Sequence, residues 1–209
     1  MIVSLVGTHG SGKSVQGELV VGALNGFDGG GWGFVPEIAR EILNRFNITE
    51  NLGVLPVEKI IEVQREILSA KRKKREEIKS SVQIKNYIKN YPRSLIEDRH
   101  PLLDVYAYSI YWLSRHPSAA LFLDELKKEV EEETKIIRTE DQYIIVVPPN
   151  IPLIADGVRN DTFHFRDTIN YIILGILDSY NIQYLLLREK SMAGRLEEIL
   201  YYIQSRVGR

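Results

Sequence analysis

The sequence predicts an α/β fold, a three-layer doubly wound parallel β-sheet. Apolar runs of strand length alternate with helix-periodic segments along all 209 residues. Those runs are continuous rather than alternating, as strands covered on both faces are. The first of them, MIVSLVG, leads straight into GTHGSGKS, which meets the phosphate-binding pattern G-x-x-x-x-G-K-[ST] at every fixed position.

The elements follow in order. MIVSLVG reads as a buried strand and VQGELVVGAL as a helix, with Val15, Leu19, Val20 and Ala23 on one side. A glycine turn, GFDGGG, precedes a short strand at about Trp32 to Val35, and IAREILNRF continues as a helix. LPVEKIIEVQREILSAKRKKREEI is a long helix introduced by Pro56, striped by Val57, Ile60, Ile61, Gln64, Ile67 and Leu68. RSLIED is a strand ending in charge, and LLDVYAYSIYWLSRH is an apolar helix stopped by Pro117. AALFLDELKKEVEEETKII is amphipathic, QYIIVVPP is a buried strand, and FHFRDTINYIILGILDSY is a helix capped by Asp161 or Thr162. IQYLLLRE and AGRLEEILYYIQSRV complete the alternation as a strand and a helix. With no repeat and no Pro-, Gly- or Ser-rich linker, residues 1–209 are expected to form a single domain.

Strand, glycine loop and helix is the context that gives the phosphate pattern its chemistry. Gly7, Gly10 and Gly12 let the backbone turn its amides toward phosphates, and the helix N-terminus favours the anion. Lys13 is expected on the β- and γ-phosphates and Ser14 on Mg²⁺, with His9, Ser11 and Val15 completing the nucleotide contact. The expected cofactors are ATP and Mg²⁺. The motif leaves open whether the terminal phosphoryl group passes to water or to a small acceptor.

Composition narrows the classes. With 27 basic and 28 acidic residues there is no global footprint for nucleic acid. KRKKREE is expected to be a solvated helix face, with a polyanion patch as its alternative. No stretch approaches 18 apolar residues, and the first strand begins too early for a signal peptide, so a cytoplasmic protein without a membrane partner is expected. The absence of cysteine excludes disulfides, thiolate zinc sites and cysteine nucleophiles, and the four histidines lack metal-ligand spacing. A homodimer is left open.

Ligands of such a sheet gather at the carboxyl ends of its strands. Strand two delivers Glu37, with Arg40 a turn later, and strand three delivers Glu97, Asp98 and Arg99. The loop after strand four, ADGVRNDTFHFRD, carries Asp156, Arg159 and Arg166. Carboxylates can orient metal or take a proton, and arginines neutralise charge on a transferring phosphoryl group. Glu37 and Asp98 also fit helix capping or a surface pair. Gln64, on an otherwise apolar stripe, is a candidate for a base edge, or else a satisfied core amide.

GTHGSGKS, VPEIAREIL, EDRHPLLDVYAYS and IADGVRND followed by FRDTINYIILGILDSYNIQYLLL together resemble the P-loop nucleoside and nucleotide kinases. The likeness is to the AAA-like ATPase/kinase branch that includes nicotinamide riboside kinase domains, with thymidylate and deoxynucleoside kinases as wider relatives. It spans nearly the whole chain. The resemblance implies five parallel strands in the order 2-3-1-4-5 and ATP–Mg²⁺ as donor. It also implies Asp98 and Arg99 facing the acceptor, Glu37 as base, and Arg159 and Arg166 as arginines of the lid segment. Two positions depart from the relatives: Val35-Pro36-Glu37 stands where thymidylate kinases usually carry Arg-Glu-Pro, and His100 where deoxynucleoside kinases usually carry serine.

The expected catalytic set is therefore Lys13, Glu37, Asp98, Arg99 and Arg159, with Ser14 and Asp98 for metal. Glu37, Arg40, Gln64, Arg99 and Arg166 are the expected acceptor contacts, and the partner is a nucleoside or nucleotide. A hydroxyl acceptor needs the carboxylates and a monophosphate needs the arginines, and the sequence supplies both. A regulatory NTPase that hydrolyses slowly or senses nucleotide is the alternative. Against it, YIIVV ends in prolines rather than an acid, and no N-K-x-D guanine signature occurs.

Overall fold

The computed structural model describes residues 1–27, 31–48, 52–89, 94–150 and 163–207, with 82–89, 163 and 207 as backbone only. In chain order the elements are β1 (Ile2–Val6), α1 (Lys13–Phe27), β2 (Trp32–Val35), α2 (Ala39–Arg45), α3 (Val57–Lys89) and β3 (Ser94–Asp98). They continue as α4 (Pro101–Leu113), α5 (Ala120–Thr139), β4 (Gln142–Val146), α6 (Phe163–Ser179), β5 (Tyr184–Leu186) and α7 (Met192–Val207). The strands form one five-stranded sheet ordered β2-β3-β1-β4-β5, parallel at every pairing. This is the order that the resemblance to the P-loop kinases implies.

Both faces of the sheet are covered, which explains the unbroken apolar runs. Val6, Ile144 and Val146 point into the larger core with residues of α3, α4, α5 and α6. Val3, Leu5, Ile96, Ile145 and Val147 point the other way, under α1 and α7. Neighbouring strand positions thus serve opposite cores, as the two-residue period requires.

Three sequence expectations are corrected. On α1, Val15 and Leu19 are 55% and 43% exposed, and the buried face is Gln16, Gly17, Val20 and Leu24. The helix is turned because Gly17 lies against Phe34: a Cβ there would stand 2.4 Å from the ring, a close approach that only glycine allows. Helix α3 runs about three turns past Ile78, where the expected helix ends. Its KRKKREE run is not uniformly solvated, since Lys71 is buried and Arg75 reaches the sheet. Helix α4 ends at Leu113, before Pro117, which instead opens a short 3-10 turn at Pro117–Ala119. Asp161 and Thr162, the expected caps of α6, lie outside the described residues. No helix among the described residues is long and apolar enough to cross a membrane.

Candidate active site

The site is built on the carboxyl edge of β1, β2 and β3, where the strand order reverses. Gly7, Gly10 and Gly12 have φ of 139°, 65° and 87°, conformations suited to glycine. At Gly7 a Cβ would also lie 2.5 Å from the Val147 carbonyl oxygen, so the loop passes tightly over the end of β4. A cavity of about 150 Å³ opens above the loop, lined by Gly10, Gly12, Lys13, Ser14 and Val15 together with Glu37, Asp98 and Arg99.

Lys13 is buried at the start of α1, its Nζ donating to the Thr8 carbonyl at 2.5 Å and the Ser11 hydroxyl at 3.2 Å. Burial, reinforced by the Arg99 guanidinium, pulls its pKa down to about 8 against the attraction of Asp98, Asp104 and Glu37. Ser14 donates its hydroxyl to Asp98 Oδ2. Asp98 Oδ1 is buried and has no hydrogen-bond partner among the described residues.

A serine hydroxyl beside a carboxylate with one oxygen unclaimed fits Mg²⁺, a hard cation that keeps few protein ligands and takes the rest from phosphate and water. No group of three or more His, Asp or Glu that could hold a metal occurs among the described residues.

Adjacent residues of β3 face opposite ways. Asp98 turns toward Ser14, whereas Glu97 is fully buried on the α3 side. Arg75 grips Glu97 with Nε and Nη2 at 2.5 and 2.7 Å, and the Ser4 hydroxyl donates to it at 2.8 Å. Burial opposes ionisation of Glu97, but the charge and hydrogen bonds of Arg75 win and hold its carboxyl below the ordinary range. Glu97 is a structural anchor.

Arg99 follows with φ of 75°, rare for a residue with a side chain. Its guanidinium meets Glu37 Oε1 at 2.9 Å and Asp104 Oδ1 at 2.9 Å, and donates to the Gly7 carbonyl and the Tyr108 hydroxyl, each at 3.3 Å. These contacts, set against burial, keep Arg99 charged and raise its pKa well above the ordinary value. Burial raises the Asp104 carboxyl despite the pull of Arg99. Glu37, 20% exposed in its side chain, faces the cavity.

His100 stands next. Its Nδ1 accepts from the Leu102 and Leu103 amides at 3.3 Å, capping α4 as a serine hydroxyl would, and Pro101 occupies the first helical position. Its Nε2 lies 3.3 Å from Glu133. The departure at this position therefore has a local explanation in capping.

Of the other expected residues, Arg166 is buried and donates to the Gly10 carbonyl at 3.2 Å, which brings it to the phosphate loop. His9 is buried with its ring 5.1 Å from Phe165. Gln64 is buried on α3, and Arg40 is exposed on α2; neither lines the cavity. Arg159 and Asp156 lie outside the described residues. Among the residues the sequence did not single out is Arg195 of α7: fully buried, it donates to the carbonyls of Ser11 at 2.9 Å, Glu189 at 3.0 Å and Pro148 at 3.3 Å, and to Asn150. Nothing in its local sequence, AGRLEE, sets it apart from a surface arginine.

Comparison with known proteins agrees with the fold. Solved structures with the same fold include NadR in complex with NAD and AMP-PNP, 17% identical with a TM-score of 0.61 over all of this chain and 49% of NadR. The chain thus spans about half the length of NadR. Thymidylate kinase from Ehrlichia chaffeensis is 17% identical with a TM-score of 0.55, covering 97% of this chain and 98% of its own. Deoxyadenosine kinase from M. mycoides, with products dCMP and dCDP, is 16% identical with a TM-score of 0.57, covering 98% and 100%. No curated protein matches in sequence. The family model described as an AAA domain matches residues 2–195, and the chain belongs to that family, on the fold of the P-loop nucleotide kinases.

Proposed function

We propose that the chain is an ATP-dependent phosphotransferase, a single unit over 1–209, that moves the γ-phosphoryl group to a hydroxyl of a nucleoside-like acceptor in the cytoplasm. The observation that carries this reading is the commitment of Arg99 to two carboxylates, Glu37 and Asp104, at 2.9 Å each. Among the described residues the cavity sets Glu37 and Asp98 against Lys13 and Arg99, and Arg99 is already shared between Glu37 and Asp104, so this lining offers no uncommitted arginine to a dianionic monophosphate. A neutral hydroxyl, by contrast, needs a proton acceptor at the same place.

In this reading Lys13 and the loop amides hold the β- and γ-phosphates. Ser14 and Asp98 hold Mg²⁺, which offsets charge on the phosphate oxygens. Glu37 accepts the hydroxyl proton as the new O–P bond forms and the bond to the ADP leaving group breaks. Arg99, at 2.9 Å, aims the Glu37 carboxylate into the cavity. The complexes of the neighbours, NadR with NR and deoxyadenosine kinase with dCMP, support an acceptor of nucleoside kind.

The test is transfer from γ-labelled ATP to a panel of nucleosides, NR and nucleoside monophosphates. Labelled product from a nucleoside, with kcat reduced about 100-fold or more in Glu37→Gln and ATP affinity unchanged, is expected. Labelling of monophosphates alone would overturn the hydroxyl acceptor. Slow release of free phosphate with no labelled acceptor would instead favour a nucleotide sensor.

A further inference from the structure

The KRKKREE run of α3 contains a charge that the phosphate chemistry does not use. Lys71 is 4% exposed, and its Nζ donates to the Pro36 carbonyl at 2.7 Å, the Asp98 carbonyl at 2.6 Å and, more weakly, the Val35 carbonyl at 3.5 Å. The first two carbonyls belong to the peptide bonds that lead into Glu37 and Arg99. One ammonium thus ties the exit of β2 to the exit of β3, immediately before the two side chains that meet at 2.9 Å.

The surroundings favour this function over simple ballast. Burying an ammonium is costly unless its protons are satisfied, and here all three have carbonyl acceptors. One turn along α3, Arg75 fastens the same helix to Glu97 of β3. Arg72, between them in the run, faces outward to Glu129 on α5 at 2.7 Å. Burial lowers the pKa of Lys71, opposed by Glu97, Asp98, Asp104 and Glu37. The segments joined need such a clip: Arg99 holds a left-handed backbone, φ 75°, which persists only where neighbouring contacts enforce it.

We infer that Lys71 is a positioning residue of the acceptor site: through the Pro36 and Asp98 carbonyls it sets the Glu37–Arg99 pair in register with the phosphate loop. The catalytic part of this inference rests on the transfer reading above, whereas its geometric part does not. A shift of about 1 Å in a reacting group can cost about 100-fold in rate, so loss of the clip is felt in turnover before it is felt in nucleotide binding.

Two readouts on Lys71→Met test it. By hydrogen–deuterium exchange, peptides covering 35–40 and 98–103 should exchange about tenfold faster than in the parent, with 142–147 unchanged. In the transfer assay, kcat should fall about tenfold or more, with ATP affinity within about twofold. The same substitution in a Glu37→Gln background should then cost little further, because residues that act through one another are not additive. Lys71→Gln, which keeps one donor, carries the same comparison if the methionine variant does not fold. Unchanged exchange at both loops would overturn the inference, as would an equal kcat loss with and without Glu37. A parent protein that transfers to no acceptor removes the transfer reading, and the exchange comparison alone then decides the clip.

Discussion

Lys13 illustrates how a single residue couples binding to protonation. Burial and Arg99 hold its pKa at about 8, below that of an ordinary lysine. A bound triphosphate stabilises the ammonium and raises that pKa again. The contribution of Lys13 to nucleotide affinity is therefore complete below pH 8 and declines as the pH rises above it. At pH 8.5 about three-quarters of the lysine is neutral, so binding of Mg·ATP should take up about 0.75 proton there and almost none at pH 6.5. Calorimetry in two buffers of different ionisation enthalpy measures that uptake directly. Equal uptake at the two pH values, or none at pH 8.5, would remove Lys13 as the coupled group. That Lys13, Ser14, Glu37 and Asp98 share one cavity could be read from the sequence because each lies at or after the carboxyl end of a strand, where ligands gather. Lys71, Arg75 and Arg195 could not, because a lysine or arginine in a charged helix carries no local sign of inward orientation. Their acceptors are supplied by distant segments, 184 positions away for Arg195 and Ser11.

At the scale of elements, the alternation of strands and helices was legible because buried parallel strands and amphipathic helices leave periodic patterns, whereas the strand order came from the resemblance to the P-loop kinases. The rotation of α1 was not legible, because it depends on one contact, Gly17 against Phe34, between elements that composition does not relate. The junction of α3, α4 and α5 with β3 likewise depends on polar contacts. Arg75 lies 3.6 Å from Glu133 of α5, and Glu133 lies 3.3 Å from His100, the cap of α4. The contact with His100, helped by Arg75 and set against partial burial, lowers the Glu133 pKa to about 2. A carboxyl whose pKa falls on folding stabilises the fold fully above its unfolded value. That stabilisation is lost as pH drops from about 4.5 to about 2. Glu133→Gln should cost about 1–2 kcal/mol at pH 6, a figure reduced for the group's partial exposure. Urea unfolding of parent and variant should show that difference shrinking at pH 3; a difference that grows toward low pH would contradict the assignment.

At the scale of the whole molecule, the phosphate loop near residue 10 is held by arginines of the last two helices. Arg166 of α6 reaches the Gly10 carbonyl, and Arg195 of α7 reaches Ser11. Arg195 also gathers Pro148 after β4 and Glu189 after β5, so one guanidinium fastens the exits of three strands to the last helix. Burial lowers its pKa, against the attraction of Glu198, and its acceptors are carbonyl groups rather than a carboxylate. Such a group is costly to remove, because the acceptors stay buried without donors. Arg195→Met should lower the unfolding free energy by about 2–4 kcal/mol, read from urea denaturation. It should also weaken Mg·ATP about tenfold, because the loop that ends in Lys13 loses its hold at the Ser11 carbonyl. The two effects are separable. Thermal shift at saturating Mg·ATP reports stability in the bound state, and calorimetry on the folded variant at low temperature reports affinity alone. A destabilised variant that binds Mg·ATP as tightly as the parent would show that the loop keeps its shape without α7. Loss of both would make the C-terminal helix part of the nucleotide site.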